Sequence, residues 1–220
     1  MRALWLGVVG VSLALTGVAN ASGTTPPEPD IKLPLVVHVL HGDGVPIASA
    51  DDIDAMVSVV NRIYADAGIC FGVTEVREHA QSADFTTYRE RRALKKFVVA
   101  RAINIFLLRT IKDPSASEST LRALARVNRA PSGWLRGAEI PAKGKRPDVY
   151  LLVKLDAGAP TLAHELGHFL GAGHHADPDN LMSYGSGRAW FDARQHRSFR
   201  AAARRQLRAR TLAPARTCVE

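Results

Sequence analysis

One stretch constrains this chain more than any other: His164-Glu165-Leu166-Gly167-His168-Phe169-Leu170-Gly171-Ala172-Gly173-His174. On a helix, His164 and His168 stand four residues apart and share one face, one turn above the other, so both can reach a single metal ion. Glu165 follows the first of them and projects beside that ion, where a bound water would sit. Gly171 can take a backbone conformation that a Cβ resists, so the helix can stop and the chain can turn, returning His174 as a third ligand. Three protein ligands leave a fourth position open for water, which is the pattern of a catalytic zinc rather than a structural one. The competing reading is a helix with surface or core histidines. Five prescribed residues at about 5% usage each would arise by chance in on the order of one in ten thousand chains, which argues against it.

The N-terminus reads as a processing signal. Arg2 is the only charge before an apolar run over 3–18, and Ala19-Asn20-Ala21 has the small-x-small form of a cleavage site. That run is short for a membrane span of about 20 residues, although an uncleaved anchor competes with it. Residues 1–21 are thus expected to be a signal peptide. The polar, proline-rich segment that follows makes 22–32 an extended leader, and 33–220 one catalytic domain. Export to the periplasm or medium follows, with no membrane span after cleavage.

The formal net charge of +8 suits contact with an anionic surface or acidic substrates. The excess lies in Arg89, Arg91, Arg92, Lys95 and Lys96 and in the tail from Arg194 to Arg216. Solvated helix faces explain both runs, and without interleaved aromatics they give no case for nucleic acid binding. Cys70 and Cys218 are the only cysteines. An even count in an exported chain suggests a disulfide, against two buried or free thiols.

The pattern of the remaining chain is α/β. Strands are expected over 33–40, 69–76, 102–108, 134–140 and 148–153, with near-continuous apolar character at 102–108 marking a buried central position. Helices are expected over 49–67 with a Ser49 cap, over 87–99 as a basic helix or loop-helix, from Gly158 through the histidine motif, and over 192–212; 121–127 is a short helical run. This order gives a mixed, mainly parallel sheet with long helices, cut by a cleft at the histidine helix.

Asn180-Leu181-Met182-Ser183-Tyr184-Gly185 follows the third histidine closely and ends in a turn glycine. Together, residues 164–184 resemble the metzincin clan of zinc peptidases, and the order of elements resembles it over 33–212. Within the clan, Leu35–Leu40, Ile103–Phe106 and the methionine turn look most similar to the pappalysin-like branch, with matrixin-like and astacin-like branches as competitors. The resemblance implies one catalytic Zn²⁺ on His164, His168 and His174, Glu165 as general base, and Met182 packed beneath the metal. It implies a Tyr184 that contacts zinc or steadies an oxyanion, and an antiparallel substrate-binding edge at Trp134, Leu135, Arg136 and Gly137. Some members of the clan are held latent by a cysteine thiolate; Cys70, in the strand-like Ile69-Cys70-Phe71, does not fit that role.

His175 adjoins a ligand and reads as a polar wall residue, while His38, His41, His79 and His196 have no ligand spacing. Asp177 and Asp179 bracket Pro178 as a turn; no full set of oxygen ligands supports calcium there. The expected function is a monomeric, secreted zinc endopeptidase acting on proteins or peptides. The alternatives are a cell-wall peptide hydrolase and a zinc-containing binding protein or effector with one dedicated partner. Glu165 speaks against the last, since a binding protein needs no base beside its metal.

Overall fold

Runs of β-branched and leucine residues build the sheet, and the pairing explains why they are apolar without alternation. A computed structural model describes residues 29–85, 88–111, 133–136, 150–185 and 187–219. The expected signal segment, the leader up to residue 28, the helical run at 121–127 and positions 137–140, including Gly137, lie outside these residues. Strand β1 (Ile31–Gly42) is flanked by two parallel strands, β3 (Ile69–Ser82) and β5 (Ile103–Leu108). Strand β8 (Tyr150–Lys154) continues in parallel beyond β5, and β7 (Gly133–Arg136) closes that side in antiparallel pairing with β8. Between β1 and β3 the chain turns back in a short antiparallel hairpin to β2 (Val45–Pro46). A separate two-stranded ribbon pairs β4 (Asp84–Phe85) with β6 (Thr110–Ile111).

Both faces of the sheet are covered, so both sets of side chains are buried. Leu33, Leu35, Val37, Ile103, Ile105, Leu107, Leu151 and Val153 point to the larger core, which also takes in the helices α1 (Ala50–Tyr64), α3 (Gly158–Phe169) and α4 (Ala193–Arg208). Leu40, Phe106, Leu108, Tyr150 and Leu152 point to the smaller core. That second face also holds a polar chain. His38 is fully buried, with Nε2 3.0 Å from Asn104 Oδ1 and Nδ1 2.9 Å from His79 Nε2. The Asn104 amide donates to the carbonyls of Val99 and Ala102 and its oxygen accepts from Val99 N, so that oxygen must also accept from His38. His38 Nε2 therefore carries the proton, and Nδ1 accepts from His79.

Local signals account for the helix ends. Ser49 and Asp52 form a reciprocal capping box at the start of α1, as do Asp192 and Gln195 at the start of α4. The expected basic helix is shorter than its pattern: α2 (Tyr88–Ala93) tightens into a 3₁₀ turn over Leu94–Phe97. Strand β1 begins at Ile31, ahead of the expected Leu33, because Ile31 is buried and pairs with Ile69. Strand β3 runs past Val76 to Ser82 because pairing with β1 persists through two register shifts. The C-terminal segment lies against the starts of β1 and β3: Ala215 N donates to Lys32 O, Val219 N to Phe71 O, and Asn61 Nδ2 to the carbonyls of Phe71 and Val219. Cys70 and Cys218 are disulfide-bonded across a separation of 148 residues. No helix among the described residues is long and apolar enough to cross a membrane.

Candidate active site

Helix α3 carries the site because its buried side is anchored in the larger core. Leu162, Ala163 and Leu166 are buried, and the Tyr64 hydroxyl at the end of α1 donates to Ala163 O at 2.9 Å. The helix ends after Phe169. Gly171 takes φ +91°, Ala172 N donates to Gly167 O and Gly171 N to His168 O, which together satisfy the last carbonyls as a Schellman turn. The sequence expectation for Gly171 is met in that conformation, and the turn delivers His174 back to the helix.

Among the described residues, one group could hold a metal: His164, His168 and His174, with ligand atoms within 4.8 Å of one another. The partners of the other ring nitrogens show which atoms are free. His164 Nδ1 donates to Leu181 O and His168 Nδ1 to Ala172 O, both at 2.8 Å. A carbonyl can only accept, so both protons sit on Nδ1 and both Nε2 atoms keep their lone pairs. His168 Nε2 lies 3.1 Å from His174 Nε2. Nitrogen ligands of a tetrahedral ion with bonds of ~2.0–2.1 Å stand about 3.3 Å apart, so this spacing suits a shared metal. His174 Nδ1 is 2.9 Å from the Tyr184 hydroxyl, completing the set of ring contacts. Burial holds His164 neutral, with its pKa lowered to about 4, and lowers His174 as well. With their Nε2 lone pairs converging, the three imidazoles fit a transition-metal ion.

Glu165 is buried at 6% exposure and makes no hydrogen bond to any described residue. Desolvation raises its pKa to about 7, with Arg188 working against the rise. A carboxyl in that range can take up or release a proton near neutrality.

Met182 is fully buried against Gly167, where a Cβ would overlap its Sδ; the helix can lie on the methionine only with glycine there. Asn180 shapes the turn, since its Oδ1 accepts from Met182 N, and Gln195 pairs with its side chain from the start of α4. His175 N donates to Met182 O, while its Nδ1 accepts from Asp177 N, which keeps it off the metal group. Asp177 accepts from Asp179 N within the turn. Tyr184 is 67% exposed and touches His174. Among the described residues, strand β7 forms the outer edge of the sheet beside α3, with Trp134, Leu135 and Arg136 opposite Leu152, Leu151 and Tyr150.

Sequence reasoning missed Arg188. Its Nη1 donates to Ser183 O at 3.1 Å and its Nη2 to Thr161 Oγ1 at 3.2 Å, bridging the methionine turn and α3. No spacing rule marks it. Leu181 O and Ala172 O also escaped notice, because any residue supplies a carbonyl.

No family model and no curated protein matches the sequence. Solved structures do resemble the fold. Metalloproteinase-II from Bacteroides fragilis superposes with TM-score 0.55 at 18% identity, over 81% of this chain and 55% of that one. Mirolysin, in a complex with a small compound, superposes with TM-score 0.62 at 13% identity, over 86% of this chain and 98% of that one. The chain thus spans little more than half of the Bacteroides protein's length. What is shared is the mixed α/β fold with a mainly parallel sheet, and on it this chain gathers three histidines that could hold a metal.

Proposed function

We propose that this protein is a secreted zinc endopeptidase that hydrolyses peptide bonds with water as the nucleophile. The observation that carries the reading is a buried Glu165, without a hydrogen bond to any described residue, next in the chain to His164, one of three imidazoles with converging nitrogens. His164, His168 and His174 would hold Zn²⁺ through Nε2, the ring orientation of the first two fixed by Leu181 O and Ala172 O. When bound, zinc polarises a carbonyl and lowers the pKa of a water from ~15.7 to ~7. Glu165 receives the proton of the attacking water on its carboxylate and returns it to the leaving amine. Tyr184 accepts from His174 Nδ1–H, which leaves its own hydroxyl proton to donate to the oxygen that becomes negative in the transition state. Edge strand β7 offers backbone groups to an extended substrate, giving affinity with little sequence preference.

The test pairs wild type with Glu165→Ala on a complex peptide library read by mass spectrometry, with zinc content measured in both. Expected are one bound zinc in each protein and cleavage by wild type alone, the variant losing at least about 10²-fold in turnover. Near-normal turnover by Glu165→Ala would remove Glu165 from the chemistry. No cleavage by zinc-loaded wild type would overturn the peptidase reading.

A further inference from the structure

Four arginines away from the site pair with carboxylates, and Arg188 at the site does not. Arg77, Arg109, Arg200 and Arg204 each pair with a carboxylate in solvent-exposed ground. Arg188 is half-buried, yet among the described residues no carboxylate lies in salt-bridge range of it. Desolvation argues for the reverse distribution, since a buried charge needs a counter-charge more than an exposed one does. Its hydrogen-bond contacts are all with neutral groups, and Glu165 attracts it only from beyond salt-bridge range. Thr161 Oγ1 donates its own hydrogen to Ala157 O and so can only accept from Arg188, and Ser183 O likewise accepts. The third contact, Nη1 at 3.2 Å from His164 Nδ1, sets two donors face to face, because Nδ1 already gives its proton to Leu181 O. Two hydrogen bonds therefore fix the guanidinium plane and leave other N–H donors unused. Its contact is with the His164 nitrogen turned away from the metal position, so this cation stands behind that ring, next to the metal group, and a bound metal would add further positive charge.

We propose that Arg188 is a specificity-determining residue that binds a substrate carboxylate close to the scissile bond. The carboxylate belongs to an Asp or Glu side chain or to a free C-terminus. A planar fork with unused donors recognises a carboxylate bidentately, and a site built for a charged partner rejects peptides that lack it. This rests on the peptidase reading and names its substrate class.

The experiment compares wild type, Arg188→Gln, Arg188→Glu and Arg188→Lys on the peptide library, together with matched peptides ending in a free or amidated C-terminus. Wild type is expected to favour Asp or Glu at one fixed position, or a free C-terminus, by about 10-fold or more in kcat/KM. Arg188→Gln abolishes that preference, Arg188→Glu turns it toward Lys or Arg, and Arg188→Lys keeps part of it. Wild-type cuts with no acidic or C-terminal preference, or a preference unchanged in Arg188→Gln, would overturn the proposal while leaving the peptidase standing. If wild type makes no cuts, the peptidase reading fails on its own. Zinc-loaded Glu165→Gln is then titrated with fluorescent acidic, neutral, free-ended and amidated peptides. About 10-fold tighter binding of carboxylate-bearing peptides, lost on adding Arg188→Gln, supports the role; equal binding sinks it. Should Arg188→Gln fail to fold, the matched peptides and Arg188→Lys still decide.

Discussion

Spacing made the three imidazoles and Glu165 readable in the sequence, but the hydrogen bonds that give each ring its working tautomer were not. Leu181 and Ala172 act through main-chain oxygens, which leave no trace in residue identity, and Arg188 and Thr161 meet only after the chain has folded. Tyr184 was legible from its place two residues after Met182, although its position on His174 was not. Its two proposed tasks separate experimentally: Tyr184→Phe should lower kcat by about 10²-fold with little change in KM if the hydroxyl donates to the oxyanion. A fall in zinc affinity with unchanged kcat at saturating metal would restrict it to holding His174. His38 lacked any ligand spacing, and burial lowers its pKa to about 4, with His79 and Arg77 adding to the effect and the Asn104 hydrogen bond and Glu75 opposing it. An unfolded histidine titrates near 6.5. Between these values the unfolded chain takes up a proton that the folded one refuses. His38 therefore favours folding fully above about pH 6.5, and that stability, about 3 kcal/mol, is lost as pH falls toward 4. Urea midpoints of wild type and His38→Phe at pH 7.5 and 4.5 measure it. Parallel losses in the two proteins would refute the assignment.

Among the elements, those that are buried on both faces or capped by their own residues were the easiest to foresee. β1, β5 and β8 announce themselves by near-continuous apolar runs, and α1 and α4 by Ser49 and Asp192. The β1–β2 hairpin had a signal that went unused: Asp43-Gly44, both at positive φ, is the pair that suits a tight two-residue turn. The two-residue strands β4 and β6 are too short to carry any period. The far half of β3 alternates poorly because much of it is exposed, so only its pairing with β1 reveals it. Gly167 reads in sequence as a helix-weakening residue, and the structure gives its reason in the closeness of Met182. Gly167→Ala should lower stability by about 1–3 kcal/mol through overpacking, and Gly167→Ala with Met182→Ala should recover part of it. Strict additivity of the two in denaturant unfolding would show that they do not meet.

At the scale of the whole molecule, the sheet and its helices divide into two cores, with the metal group on the side of the larger one. The fold class followed from the order of apolar runs, while the antiparallel position of β7 followed from resemblance, since a weakly patterned four-residue strand cannot state its direction. The even cysteine count suggested the Cys70–Cys218 bond, and the structure adds that this bond secures a segment also tied by Ala215 and Val219. A loop of that length contributes about 4–5 kcal/mol on the chain-entropy description. The bond also bears on how the protein survives a break in its own backbone. All of α3, the methionine turn and α4 lie inside the loop it closes, so a single backbone cut anywhere from 71 to 217 severs the chain without releasing either piece. Limited proteolysis should therefore yield fragments that separate on a reducing gel and migrate as one species without reductant. A clip that would discard half of an uncrosslinked protein leaves this one joined, its two parts still paired through the sheet.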